Sequence, residues 1–183
     1  MSIASDKLPR VSTILQVLDD AYMGVPQALM DKAADRGIAL HGLCLSYLAS
    51  LDGLCEEPVP TPQYTQAHEC FKSWTKQHGL LQVATEESSV CTKYGYRGTP
   101  DAMVILGGKY TVLDLKFTAS ILRINKVQIQ AYRKLDLYHE ATQSVLLHIN
   151  PTTGETKAHI IPNNPRDWAA FLNALSVWRW RQT

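Results

Sequence analysis

Three charged residues, Asp101, Asp114 and Lys116, stand in an otherwise apolar stretch that reads GTPDAMVILGGKYTVLDLKFT from Gly98 to Thr118. Taking an ionised side chain out of water costs several kcal/mol unless it is paired or holds a metal. The stretch must therefore supply compensation. If Gly107-Gly108 is a two-residue hairpin loop, Leu106 pairs with Lys109, Met103 with Val112, and Asp101 falls opposite Asp114. Opposed side chains lie about 5 Å apart on one face of a sheet. Lys116, two residues beyond Asp114, shares that face.

Two readings follow. Either the face is wet and Lys116 neutralises one acid, or the two carboxylates hold a divalent cation. Met103, Val112, Leu113, Leu115 and Phe117 fit a strand covered on both sides, which favours the cation, because hard ions such as magnesium take oxygen ligands and relieve carboxylate repulsion. A cation held by two acids beside a lysine suits phosphate-ester hydrolysis, with the lysine positioning water or offsetting developing charge. Read from these residues alone, the chemistry is that of a phosphodiesterase.

The elements that must position this group can be read from period and punctuation. The N-terminal third reads as helical, with Ser12 as a cap in LPRVSTIL. A longer helix runs from Pro26 through ALMDKAADRGIALHGLCLSYLAS, with Gly37 as a candidate interruption. Leu51 to Pro62 is a proline-rich loop, and YTQAHECFKSWTKQHG is a helix stopped at Gly79. Three strands follow, LLQVATEESSV, YRGTPDAMVIL and KYTVLDLKF, then a helix over Ile124 to His139. A hairpin, SVLLHIN and TKAHIIP around PTTGE, precedes a closing helix from Pro165. This order predicts an α/β domain with α+β-like succession. It divides into a helical part over 1–79, a sheet and helix over 80–162 and a C-terminal helix over 163–183.

The 183 residues, 45% hydrophobic and 19% charged, suffice for one well-buried domain. A net charge of +1, from 18 basic and 17 acidic residues, excludes a strongly basic tail but not a DNA cleft with a local basic lining. Cys44, Cys55, Cys70 and Cys91 contain no CxxC pair, so neither a zinc knuckle nor a disulfide framework is signalled. No apolar run approaches the length of a membrane span, and MSIASDKLPR lacks a secretory apolar segment; a cytoplasmic protein without membrane contact is expected. Of Trp178-Arg179-Trp180, one indole is expected to pack inward and the other to face a partner or DNA.

The succession of motifs resembles the PD-(D/E)XK nuclease superfamily, in its RecB-like exonuclease branch of phage and mitochondrial single-domain type. The resemblance is carried by His41 in RGIALHGLCLSYL, an acid on the first strand, GTPD with Pro100-Asp101, LDLKFT with Asp114-Leu115-Lys116, and QIQAY with Gln128 and Tyr132. LPRVSTIL and SVLLHINPTTGETKAHIIP are also similar to that branch. The resemblance implies a restriction-endonuclease-like core, a central mixed sheet of about five strands flanked by helices. It also implies a magnesium- or manganese-dependent deoxyribonuclease that degrades DNA from its ends in phage or bacterial recombination or repair. An endonuclease of the same fold, or a non-cleaving DNA-binding module, are the alternatives. Possible further partners are a single-strand annealing protein or a helicase.

Carried over by position, Asp101, Asp114, the Leu115 carbonyl and His41 would hold the metal, and Lys116 would be the catalytic lysine. Glu86 would be the acid of the first strand, although adjacent Glu87 competes, since successive strand residues face opposite sides. Gln128 and Tyr132, four apart on a helix, would orient the site and touch DNA, with Arg123 and Lys126 on phosphates. His41 also reads plainly as a half-buried helix residue, and Gln128 as an exposed amide packed on a tyrosine. No cysteine follows Cys91, so no iron–sulfur cluster is expected, and no Walker A loop is present.

Overall fold

Gly107 and Gly108 take positive φ values of 57° and 73° and reverse the chain, as a Gly-Gly loop requires. The computed structural model describes residues 7–18, 27–118 and 120–183. The strands joined by the glycines, β4 (Ala102–Leu106) and β5 (Lys109–Lys116), pair from Leu106↔Lys109 to Ala102↔Leu113, in the register expected from sequence. The ladder stops there. Asp101 lies one residue before β4, so it is not a ladder partner of Asp114, a difference from the expected pairing. Pro100, with no amide hydrogen to donate, precedes it and ends the strand.

The first two expected strands are each broken in two. LLQVATEESSV divides into β1 (Leu81–Thr85) and β2 (Ser89–Cys91) at Glu86, whose φ is 49°. YRGTPDAMVIL divides into β3 (Tyr96–Gly98) and β4 at Thr99-Pro100-Asp101. The inner halves, β1 and β4, pair antiparallel, with a register shift between Gln82 and Ala84, while β2 and β3 form a separate two-stranded ribbon. With β6 (Gln143–Ile149) and β7 (Thr156–Ile160), the main sheet has the order β1-β4-β5-β6-β7. It is mixed: β5 and β6 are parallel and the other pairs antiparallel.

Among the described residues the α-helices are α1 (Val11–Leu15), α2 (Gln27–Leu51), α3 (Thr65–Gln77), α4 (Arg123–Tyr132) and α5 (Pro165–Trp180). Ser12 sits inside the first turn of α1, and Arg10 rather than Ser12 is the N-cap. Pro26, the expected start of the long helix, lies outside the described residues; α2 runs through Gly37 without a break. The crossover from β5 to β6 is shorter as a helix than the sequence suggests. α4 ends at Tyr132, and a 3-10 turn over Asp136–Tyr138 completes the connection. Leu135 and Tyr138 stay buried, so apolar residues recur at helical spacing past the helix end. At α5, the Asn164 side chain accepts from the Arg166 amide at 3.0 Å and Pro165 occupies the first turn, as expected.

Helices cover both faces of the sheet. One apolar cluster joins Val11 and Ile14 of α1, Ile129 of α4 and Phe171 of α5 to Met103, Val112 and Leu146. The other joins Leu40 and Leu48 of α2 and Phe71 of α3 to Leu113, Leu115, Val145 and Leu147. Alternation along β5 therefore sends Val112, Asp114 and Lys116 toward the side of α4, and Leu113 and Leu115 toward α2. Trp178 packs against the first cluster and Trp180 remains exposed, the division expected for that pair. No helix among the described residues is long and apolar enough to cross a membrane.

Candidate active site

Because β4 ends before β5 does, the last residues of β5 have a strand on one side only. Asp114, Leu115 and Lys116 pair with Leu146, Leu147 and His148 of β6, and their other edge lacks a strand. Asp101 fills that gap. Its Oδ2 accepts the Leu115 amide at 2.6 Å, a side chain standing in for the missing ladder carbonyl. The same oxygen lies 2.7 Å from Nε2 of His41, which projects from the middle of α2.

Asp114 is 1% exposed, and its Oδ2 lies 2.6 Å from Lys116 Nζ. That oxygen has the charge of Lys116 beside it but no hydrogen bond of proper geometry. Lys116 Nζ also donates to Gln128 Oε1 at 3.0 Å, and Gln128 Nε2 donates to Tyr132 OH at 3.0 Å. The four-residue spacing of Gln128 and Tyr132 on α4 makes that chain possible. Sequence reasoning placed these residues together but did not foresee the Lys116–Gln128 bond, or Asp101 taking the Leu115 amide.

The electrostatics follow from burial and neighbours. Burial pulls the His41 imidazole down, but the hydrogen bond and charge of Asp101, with Asp114 and Glu86, outweigh it and hold His41 above its ordinary value. Burial pushes the Asp114 carboxyl up, Lys116 opposes this and Asp101 adds to it, for a net rise. Tyr132 is held far above the usual phenol range, chiefly by burial.

His41, Glu86, Leu115 and Lys116 line a cavity of about 1060 Å³ that continues along α2 past Leu29 and Ile38. Glu87 is not among its lining residues; its carbonyl accepts from Tyr138 OH at 2.8 Å. Arg123 is exposed in the first turn of α4, next to Leu122 on the cavity wall. Lys126 lies elsewhere, lining a cavity with His159, Asn164 and Asp167.

Two carboxylates, an imidazole and the Leu115 carbonyl make a donor set whose chemistry fits a hard divalent cation. The buried Asp114 carboxylate, crowded by the charge of Asp101, fits it too. The set is not preassembled: among the described residues no three His, Cys, Asp or Glu side chains converge as ligands. Asp101 and Asp114 instead engage His41, the Leu115 amide and Lys116.

No family model matches the chain, and no curated protein matches it. Among solved structures, the alkaline exonuclease LHK-Exo of Laribacter hongkongensis aligns over 95% of this chain and 87% of its own, with a TM-score of 0.50 and 12% identity. The chain shares the fold of that exonuclease. LHK-Exo in complex with dAMP aligns at a TM-score of 0.47 over 95% of this chain and 87% of its own, with 12% identity. A phage-related exonuclease from Haemophilus somnus aligns at 0.46 over 92% of this chain and 90% of its own, with 12% identity. At such identity the likeness is one of fold. In this fold Pro100-Asp101 and Asp114-Leu115-Lys116, the two segments that carry the motif resemblance, come together at the end of β5. The early end of β4 is what lets these two segments meet.

Proposed function

We propose that this chain is a divalent-cation-dependent deoxyribonuclease that hydrolyses phosphodiester bonds from DNA ends. The observation that carries the reading is the meeting of Asp101, Asp114, His41 and Lys116 at the half-open end of β5, beside a cavity that His41, Lys116 and Glu86 line. A protein of similar fold, LHK-Exo, is an alkaline exonuclease, which supports acting on DNA from an end.

Asp101, Asp114, the Leu115 carbonyl and His41 would hold magnesium or manganese, with Glu86 at the cavity wall; an imidazole ligand favours manganese somewhat. When bound, such an ion supplies Lewis-acid chemistry at the scissile phosphate. Lys116 is the catalytic residue of the chain itself. Its ammonium is fixed between Asp114 and Gln128, so it meets the phosphate in one place and offsets the negative charge that builds there. Gln128 and Tyr132 are positioning residues. Arg123 beside the cavity suits a phosphate contact; Lys126, in its separate cavity, would touch a more distant part of the strand. The motif resemblance supports one nuclease domain over 1–183, working in bacterial or phage-infected cytoplasm in recombination or repair, beside an annealing protein or helicase.

The test is a time course on end-labelled linear and circular DNA in magnesium, manganese or chelator, with wild type and Lys116→Ala. Cation-dependent loss of linear DNA alone, absent in the variant, is the expected result. Cleavage of circles would turn the assignment to an endonuclease. Undiminished cleavage by Lys116→Ala would overturn the site.

A further inference from the structure

We infer that His148 is a positioning residue for Lys116: it clamps the main chain just beyond the lysine and so fixes where the ammonium meets the scissile phosphate. This rests on the nuclease reading. Lys116 is the last residue of β5, and its pairing with His148 of β6 is the last of the β5–β6 ladder. Beyond that pair the chain leaves the sheet, and the ends of elements open more readily than their centres.

Paired residues of a parallel ladder lie on one face, so the half-buried His148 ring stands on the side of Lys116 and Leu146. From there its Nε2 lies 2.6 Å from the Thr118 carbonyl oxygen. A carbonyl only accepts, so Nε2 carries the hydrogen and donates it. The bond completes a bracket around the lysine. On one side Asp101 Oδ2 accepts from the Leu115 amide at 2.6 Å; on the other His148 donates to Thr118.

Phe117, between the lysine and Thr118, is buried in the apolar cluster shared with α2. That contact holds the strand end against its neighbours but is not directional, whereas a hydrogen bond to a carbonyl sets the course of the chain. Thr118 lines the same cavity as Lys116 and His41, together with Ser120 and Leu122, so the segment that His148 holds is part of the cavity wall. With the main chain tied at Leu115 and at Thr118, the lysine side chain starts from a fixed Cα, and its Nζ is delivered between Asp114 Oδ2 and Gln128 Oε1.

The test compares wild type with His148→Gln and His148→Asn in cleavage of end-labelled linear DNA, beside thermal melts with and without manganese. Glutamine carries its amide nitrogen where imidazole carries Nε2, while asparagine is one methylene too short to reach Thr118. Both are polar amides, so a general effect of losing the ring falls on the two alike. His148→Asn should lose kcat by roughly 10- to 100-fold with KM little changed, as a misplaced reacting group does, and His148→Gln should recover most of that loss. The manganese-dependent rise in Tm should be the same in all three proteins, because the clamp acts on Lys116 and not on the acids. Equal kcat in the two variants, or a loss that appears only in KM or in the response to manganese, would overturn the role of His148 while the nuclease reading stands. If wild type leaves DNA intact, the nuclease reading falls, and this inference with it.

Discussion

Gly98 runs so close to Tyr132 that a Cβ at position 98 would meet the tyrosine Cε1 at 2.9 Å and Leu135 Cδ1 at 3.2 Å. The ring is buried, and its hydroxyl accepts from the Gln128 side chain that receives Lys116. A buried ring cannot step aside as the tip of a flexible side chain does. Gly98→Ala should therefore displace Tyr132 and, through Gln128, Lys116. Overpacking predicts a stability loss of about 1–3 kcal/mol, and misplacement of a reacting group predicts a kcat lower by roughly 10- to 100-fold with KM little changed. Cleavage kinetics beside a urea melt check both, and a wild-type kcat in a destabilised variant would disconnect Gly98 from the site.

Lys116 and Asp114 form a buried ion pair, so removing the lysine alone does more than remove a catalytic group. Lys116→Ala leaves the Asp114 carboxylate inside the protein without its cation. Breaking a buried pair from one side costs roughly 3–5 kcal/mol. Lys116→Ala should be markedly less stable than wild type, and adding Asp114→Asn should restore most of the loss while activity stays absent. Urea unfolding of the single and double variants decides this; equal stability of the two would mean that the pair contributes no burial cost.

His68 predicts a pH dependence away from the site. It is fully buried, both ring nitrogens lack hydrogen-bond partners among the described residues, and the ring stands edge-on to Tyr47 at 5.9 Å. Burial, with help from Lys72, lowers its pKa below 6.5 against the weaker opposing pull of Glu69 and Glu57. Below pH 6.5 the unfolded chain takes up a proton that the folded chain refuses. Stability is thus full above 6.5 and falls as pH drops toward the lowered folded value, by at most about 1.4 kcal/mol per pH unit. His68→Phe should remove that part of the acid sensitivity, read as the difference between wild-type and variant urea midpoints from pH 7.5 to 5. A difference that does not change with pH would show that His68 titrates alike in both states.

What the sequence made legible was whatever local chemistry decides alone. The Gly107-Gly108 loop fixed the β4–β5 register, Pro165 marked the start of α5, and the two acids and the lysine stood out against an apolar strand. The breaks at Glu86 and Pro100 were hidden because the alternation resumes in β2 and β3, so a period of two cannot register that the chain has changed sheets. The end of α4 was hidden for a similar reason: Leu135 and Tyr138 are buried from outside the helix. The bond from the Leu115 amide to Asp101 depends on where β4 stops, which is a tertiary fact. Lys126 shows the limit of helix charge patterns, since its exposed position serves a different cavity from that of Lys116.

The donor set at the end of β5 makes a prediction that needs no substrate. Asp101 and Asp114 face each other's charge beside His41, and Asp114 is held out of water at a cost that Lys116 only partly offsets. A ligand bound only by the folded state stabilises it by about 2.7 kcal/mol at a concentration of 100 Kd, which for a chain of this size is a rise in Tm of roughly 5–10 °C. Chelator-treated wild type should therefore melt higher on addition of manganese or magnesium, and Asp101→Asn should show little of that rise. His41→Gln should keep the magnesium response while losing much of any extra response to manganese, because imidazole is the one ligand of the set that prefers the transition metal. Calorimetric scans of the three proteins with and without each ion make the comparison. Equal rises in wild type and Asp101→Asn would place the bound cation away from the end of β5.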